Sequence, residues 1–276
     1  MTLEDYRRFY AEEIEQVANL TSAEVRAMAA AGLAEAKYRT TSEPRHLYHN
    51  VVVSLDRAKD INNGQPSALA GWINALDLKS GDRVYHMGCG VGYYTAIMAE
   101  MVGPDGSVVA LDAQPDLAAR AKDNLSGYLH VAVHAGDGAA FDPGPCDAML
   151  IDAGVTHPHK LWLDRLREGG RLVMPLTIAT SSTLGQGAMV KIVRESAGFA
   201  ASTVTFLAIF NAASLRDPEL DAPWRQMLGK AMATGTMFKV KSLRRDTHEP
   251  DESCVLHTAR MCLSTKPVRS ESELPT

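Results

Sequence analysis

Apolar positions recur at helical spacing at the start of the chain. Leu3, Tyr6, Tyr10, Ile14 and Val17 predict an amphipathic helix, with Thr2 and Asp5 as a capping pair. Thr21 and Glu24 mark a second helix start, ahead of an alanine-rich stretch. Residues 40–65 change texture and are turn-rich around the β-branched run Val51 to Val53, which predicts an irregular arm. From Pro66 the pattern turns regular: Leu69, Trp72, Ile73 and Leu76 form one apolar stripe behind a proline suited to the first helical position. Short apolar strands then alternate with helices, giving strand 84–87, helix 93–101, strand 108–111, helix 115–125 and strand 131–134. Strand 148–151, helix 158–166 and strand 171–174 continue the series. Strands separated by helices imply βαβ units and a parallel sheet covered on both faces. Right-handed crossovers leave a doubly wound topology.

Beyond Pro175 the pattern shifts to an antiparallel pair, 188–194 and 203–209, then a helix near 223–232 and a last strand near 254–263. The fold expected is α/β: a doubly wound, Rossmann-like, mostly parallel sheet with an antiparallel edge, an N-terminal helical arm and a C-terminal extension. The expected divisions are a substrate-side arm at 1–64, a sheet core at 65–211, an extension at 212–265 and a disordered tail at 266–276.

Composition narrows the function classes. With 28 basic and 33 acidic residues the formal charge is −5, which argues against a duplex binder that works through its net field. No apolar run reaches the roughly 18 residues of a membrane helix. The acidic opening MTLEDYRRFYAEEIEQ does not read as a secretory signal, so a cytoplasmic protein is expected. Cys89, Cys146, Cys254 and Cys262 contain no C-x-x-C pair, and the expectation is that no histidine stands at zinc-ligand spacing from any of them. Buried thiols of a reducing compartment are expected, and no metal site.

The chemistry concentrates in Gly88-Cys89-Gly90-Val91-Gly92-Tyr93, directly between a strand and a helix. A missing Cβ permits the tight turn and lets a ligand approach the backbone. Asp112 lies 20 residues beyond Gly92 at the end of the next strand, where a carboxylate can accept both hydroxyls of a ribose. The spacing G-x-G-x-G departs from the dinucleotide pattern G-x-G-x-x-G. Gly136-Asp137-Gly138 follows the third strand, and Asp152 ends the fourth.

These features resemble the class I S-adenosylmethionine-dependent methyltransferases. Gln65-Pro66, the glycine turn, Gly136-Asp137-Gly138, Cys146-Asp147-Ala148 and Leu166-Arg167-Glu168-Gly169-Gly170-Arg171-Leu172-Val173-Met174-Pro175 narrow the resemblance to the protein-L-isoaspartate O-methyltransferase family. It covers roughly 45–195 and implies that Gly88, Gly90, Gly92, Asp112, Asp137 and Gly138 line the pocket of S-adenosylmethionine, with S-adenosylhomocysteine as product. Gln65, His86, Tyr93 and Asp152 are further candidates for cofactor contact.

The sequence departs from that family in three places. His86 stands where the family has an acidic residue, two places before the first glycine. Ile61-Asn62-Asn63-Gly64 replaces a hydroxyl-rich segment facing the substrate carboxylate. The region from about residue 212 exceeds what the small repair enzymes carry, and includes Lys239, Lys241, Arg244 and Arg245. The expected acceptor is therefore an O nucleophile, or an N nucleophile, of a small metabolite or peptide. True isoaspartyl repair is the first alternative. A non-catalytic binding module and chemistry on the cofactor's own amino-acid chain are the others.

Methyl transfer needs alignment of a nucleophile, and a base only where the acceptor is not yet ionised. Asp152, His157 and Asn63 are the catalytic candidates, with Thr156, His159, Tyr48 and His49 behind them. For His157 and His159 the competing reading is a helix start, with Thr156 as cap and Pro158 in the first turn. A monomer or homodimer is expected, without nucleic-acid or membrane partners.

Overall fold

The computed structural model describes residues 2–18, 50, 52–56, 58–210 and 213–268. Tyr48, His49 and the helix expected after Thr21 lie outside the described residues, as does the tail from 269. The chain divides into two compact units, Met1–Pro143 and Gly144–Thr276, a boundary that falls within the stretch 65–211.

In the first unit, helix α1 (Leu3–Ala18) opens with the expected box: the Thr2 N–H donates to Asp5 Oδ2 at 2.7 Å and the Asp5 N–H to Thr2 Oγ1 at 3.2 Å. Its buried face, Tyr10, Ala11 and Ile14, belongs to a helix that packs against α2 (Pro66–Leu76). The predicted stripe Leu69, Trp72, Ile73 and Leu76 is buried on α2, each at 4% exposure or less. Between them the arm contains a small antiparallel hairpin, β1 (Ser54–Asp56) and β2 (Ile61–Asn62).

The strand–helix alternation follows as expected: β3 (Arg83–Met87), α3 (Tyr93–Val102), β4 (Ser107–Asp112), α4 (Pro115–Asn124) and β5 (Val131–Ala135). The pairing is parallel, with β4 between β3 and β5, from Arg83↔Ser107 to Met87↔Leu111 and from Val108↔Val131 to Asp112↔Ala135. Burial of Val84, Tyr85, Met87, Val108, Ala110 and Leu111 against α3 residues such as Ile97 and Met98 forms this unit's core.

The second unit starts parallel and becomes antiparallel. Strand β6 (Cys146–Ile151) pairs in parallel with β7 (Leu166–Ala179) across the short helix α5 (Lys160–Arg165). Strands β8 (Leu184–Glu195) and β9 (Gly198–Phe210) then add as a long antiparallel hairpin. The strand expected at 171–174 spans 14 residues: residues 171–179 pair with β8, and Leu166 at its start pairs with Cys146 of β6. Close approach depends on Gly187, where a Cβ would stand 1.9 Å from the Leu176 carbonyl oxygen. Helix α6 (Pro218–Ala233) follows, with Asp217 accepting the Glu219 N–H as its cap.

The single strand expected near 254–263 is two, β11 (Cys254–His257) and β12 (Cys262–Ser264), turned at Thr258–Met261 where the Thr258 N–H donates to the Met261 carbonyl at 2.9 Å. With β10 (Ser242–Arg244) they continue the antiparallel strands beyond β9. The architecture is mixed α/β, with parallel βαβ units followed by antiparallel edge strands.

Candidate active site

In the first unit the loops after β3, β4 and β5 converge on Asp112. The glycine turn holds Gly88, Gly90 and Gly92 at φ 84, 54 and 90, where side chains with a Cβ are strained. Gly92 is doubly constrained, since a Cβ there would stand 2.8 Å from Leu125 Cδ1. The Gly88 and Cys89 N–H groups donate to the Leu111 carbonyl at 2.8 and 3.1 Å, fastening the turn to the end of β4. The Gly90 N–H donates to Asp112 Oδ2 at 2.8 Å, and the Gln114 N–H to Oδ1 at 2.8 Å. The Asp112 carbonyl accepts the Gly136 N–H at 3.0 Å, tying in the third loop.

Asp112 is buried, and burial raises its carboxyl pKa while the two amide hydrogen bonds oppose the rise. Each oxygen takes one N–H, so lone pairs remain for two hydroxyls. A buried, doubly oriented carboxylate beside a turn carrying three glycines is the arrangement that could hold a ribose. Asp137 lies on the exposed side of the same ends, its Oδ1 accepting the Ala139 N–H at 3.0 Å, while Gly138 is buried.

His86 is placed inside the unit, fully buried. Its Nδ1 pairs with Thr95 Oγ1 of α3 at 2.8 Å, and burial drops its pKa to about 3, so the ring is neutral. Among the described residues its buried Nε2 makes no hydrogen bond.

Asn63 and Gln65 build the arm. Asn63 Oδ1 accepts the Val53 N–H at 2.7 Å, and Gln65 is the N-cap of α2 without a side-chain cap bond. Tyr93, half-buried, meets Tyr94 edge to face at 5.0 Å and is hydrogen-bonded to Tyr10 of α1. Burial and the two neighbouring tyrosines hold the Tyr10 hydroxyl far above its ordinary pKa.

The sequence reading missed Tyr10, Leu55, Lys59 and Gln114. Leu55 of the hairpin lies over the turn, 3.2 Å from where a Cβ on Gly90 would be, and Lys59 Nζ donates to Gln114 Oε1 at 2.7 Å. Tyr10 stands on the predicted apolar stripe of α1, but nothing in the hairpin's polar, turn-rich sequence signals its position over the glycines.

In the second unit Asp152 follows β6, half-buried. The Val155 N–H donates to the Pro175 carbonyl at 3.1 Å and the Thr177 N–H to the Val155 carbonyl at 2.9 Å, pinning this loop to β7. Thr156 does not cap the next helix. It is buried, accepts the Asp217 N–H at 2.9 Å and pairs with His157 Nδ1 at 3.0 Å. The N-cap of α5 is His159, with no side-chain cap bond. The His157 and His159 rings stack at 4.9 Å, His159 packs on Trp162 at 4.7 Å, and its Nε2–H donates to the Leu215 carbonyl at 3.3 Å. Burial, then His159 and Arg260, lower the His157 pKa to about 4 against the pull of Asp217.

The basic run is partly neutralised: Arg244 pairs with Asp246 at 2.6 Å and Arg245 with Asp164 at 3.6 Å. No helix among the described residues is long and apolar enough to cross a membrane.

A βαβ unit whose G-x-G-x-G turn is clamped to an acidic residue ending the second strand defines the class of S-adenosylmethionine-dependent methyltransferases. The family model for protein-L-isoaspartate(D-aspartate) O-methyltransferase (PCMT) matches residues 11–206, and the chain belongs to that family. Protein-L-isoaspartate O-methyltransferase 1 of Archaeoglobus fulgidus is 33% identical over 189 residues, covering 64% of this chain and 82% of the relative. The Ignicoccus hospitalis protein-L-isoaspartate O-methyltransferase is 33% identical over 162 residues, 57% of this chain and 74% of its own.

A solved protein-L-isoaspartate O-methyltransferase shares the fold with a TM-score of 0.68 at 22% identity, covering 80% of this chain and 70% of that one. A Plasmodium falciparum structure in complex with S-adenosyl-L-homocysteine reaches 0.59 at 18% identity, over 75% of this chain and 97% of that one. The chain is an enzyme that uses S-adenosylmethionine.

Proposed function

We propose that the protein methylates the free carboxylate of isoaspartyl or D-aspartyl residues in a peptide or protein. The family match over residues 11–206 carries this reading, and the relatives' names favour it over the small metabolite expected from the sequence. The same family membership favours turnover over a non-catalytic binding module.

The residues fit the cofactor. Gly88, Gly90 and Gly92 would lie under it, Asp112 would take the ribose hydroxyls, and Asp137 with Gly138 would face the adenine. The cofactor supplies a methyl on a cationic sulfur. Transfer of that methyl to an acceptor carboxylate oxygen, with cleavage of the carbon–sulfur bond, would leave a methyl ester and a neutral thioether. An acceptor already ionised asks for no proton removal, which suits a His157 whose conjugate acid lies near 4. His157 then acts in positioning the acceptor rather than as a base.

A second reading rests on one observation. Where the family carries hydroxyls, the two side-chain amides of this chain are engaged within the arm, Asn62 Oδ1 accepting the Gly64 N–H at 2.8 Å in a local turn and Asn63 Oδ1 accepting the Val53 N–H, ten residues away, at 2.7 Å. This favours a peptide acceptor other than damaged aspartate. The test offers matched peptides containing L-isoaspartate, D-aspartate and L-aspartate with methyl-labelled S-adenosylmethionine, and reads base-labile methyl ester. Label confined to the isoaspartyl and D-aspartyl peptides is expected. Label on L-aspartate alone supports the second reading, and label on none of the three overturns the proposed acceptor.

A further inference from the structure

Strands β10, β12 and β11 form an antiparallel ribbon in the second unit, with β12 in the middle. Cross-strand partners share a face, so Ser242, Ser264 and Cys254 stand in one row, and Arg244, Cys262 and His257 in the next. Leu243, Leu263 and Leu256 fill the opposite, buried face. On a regular strand Cys254 and His257, three residues apart, would point to opposite faces. The register shifts between Cys254 and Leu256, so Cys254 opposes Ser264 while Leu256 opposes Leu263. That bulge adds one residue and returns both side chains to the same face. The loop between β10 and β11 brings in His248.

One donor atom each of His248, Cys254, His257 and Cys262 lies within 4.8 Å of every other. His248 Nε2 is 3.6 Å from Cys254 Sγ, and the two imidazoles meet edge to face at 4.7 Å. His248 Nδ1 lies 2.9 Å from the Asp246 carbonyl oxygen. A carbonyl only accepts, so that nitrogen carries the proton and Nε2 presents its lone pair to the cluster, the arrangement typical of a ligating histidine. The Nδ1 of His257 is buried and makes no hydrogen bond among the described residues. Both thiols are free. The expectation that no histidine stands at ligand spacing from a cysteine fails at the sequence itself, since two residues separate Cys254 from His257.

We propose that His248, Cys254, His257 and Cys262 bind one structural zinc ion. Two sulfurs and two imidazole nitrogens are a zinc donor set, and four protein ligands close the coordination sphere, as structural sites do. With Zn–S of about 2.3 Å and Zn–N of about 2.0–2.1 Å, a tetrahedron sets donor separations of about 3.3–3.8 Å. The four donor atoms now lie within 4.8 Å of one another, so binding would draw them closer together. Binding releases the two thiol protons to solvent, and two thiolates with two neutral imidazoles cancel the ion's charge. The neutral site tolerates Arg244, which is already paired with Asp246 at 2.6 Å. A Cys254–Cys262 disulfide is the competing reading, and it explains neither imidazole. The ion would pin the β10–β11 loop and the β11–β12 turn, all beyond residue 206 where the family match ends.

The full chain, purified under reducing conditions without chelator, is expected to carry about one zinc per molecule by elemental analysis. After zinc removal, cobalt(II) is expected to saturate at one equivalent, with thiolate charge-transfer and tetrahedral d–d absorption. Cys262→Ser and His248→Ala are each expected to abolish stoichiometric uptake, and chelation to lower the Tm reversibly. The cobalt titration of the unaltered chain stands even if Cys262→Ser fails to fold. Absence of both zinc and the cobalt spectrum from reduced protein overturns the proposal. So does a Cys254–Cys262 disulfide in the purified chain, or uptake unchanged in both variants.

Discussion

The Gly90 N–H donates to Asp112 Oδ2 at 2.8 Å, so the turn after β3 and the end of β4 hold each other in one geometry. The same carboxylate is the proposed ribose acceptor, which couples loop order to cofactor affinity. Asp112→Asn removes the charge and turns one acceptor into a donor. Charge-assisted hydrogen bonds contribute about 1.5–3 kcal/mol each, so the Kd for S-adenosylmethionine is expected to rise on the order of 10–100-fold. Calorimetry checks this, and unchanged affinity would remove Asp112 from the cofactor site.

Gly92→Ala combines φ 90 with a Cβ placed 2.8 Å from Leu125 Cδ1. Strain of this kind costs about 1–3 kcal/mol. Urea unfolding is expected to show a lowered midpoint with an unchanged m-value. Leu125→Ala in the same chain is expected to relieve only the steric part, leaving the cost of the positive φ.

His86 is neutral when folded because burial drops its pKa to about 3, against about 6.5 for the unfolded chain. Between those values the unfolded state binds more protons, so stability rises with pH. The contribution is complete above about pH 6.5 and is lost progressively toward pH 3, with a slope of up to about 1.4 kcal/mol per pH unit. His86→Gln keeps a partner for Thr95 but does not titrate. Denaturation from pH 7 to pH 4 is expected to show a shallower loss in the variant, and identical slopes would refute the buried neutral histidine.

His157 separates acceptor chemistries. A carboxylate acceptor leaves kcat for His157→Ala within about 10-fold of the parent, whereas loss of a general base costs roughly 10²–10⁴-fold. With an isoaspartyl peptide, the kcat profile of both proteins is expected to be flat from pH 6 to 8. A drop of 10³-fold rescued at high pH would favour an amine or hydroxyl acceptor.

Local chemistry made the first unit readable. Pro66 and Pro115 start helices α2 and α4, and the apolar runs of β3 and β4 alternate with those helices within a few residues. The glycine turn and Asp112 stand at a spacing that βαβ geometry converts into contact. The stretch 171–174 predicted the right strand but not its extent, because residues 175–179 are held by pairing with β8 rather than by their own propensity. Thr156 read as a cap, yet its hydroxyl is taken by the Asp217 amide, 61 residues further on.

By itself the sequence determined the order of strands and helices from Pro66 to Pro175, the cofactor turn and the family resemblance, all encoded over a few to about twenty residues. Tertiary structure alone decided the neutral state of His86, the hairpin over Gly90 and the meeting of His248, Cys254, His257 and Cys262. Desolvation, cross-strand register and a one-residue bulge have no local signature. A slip of one residue turns a side chain from one face of a strand to the other, and only the paired strands show which face it takes.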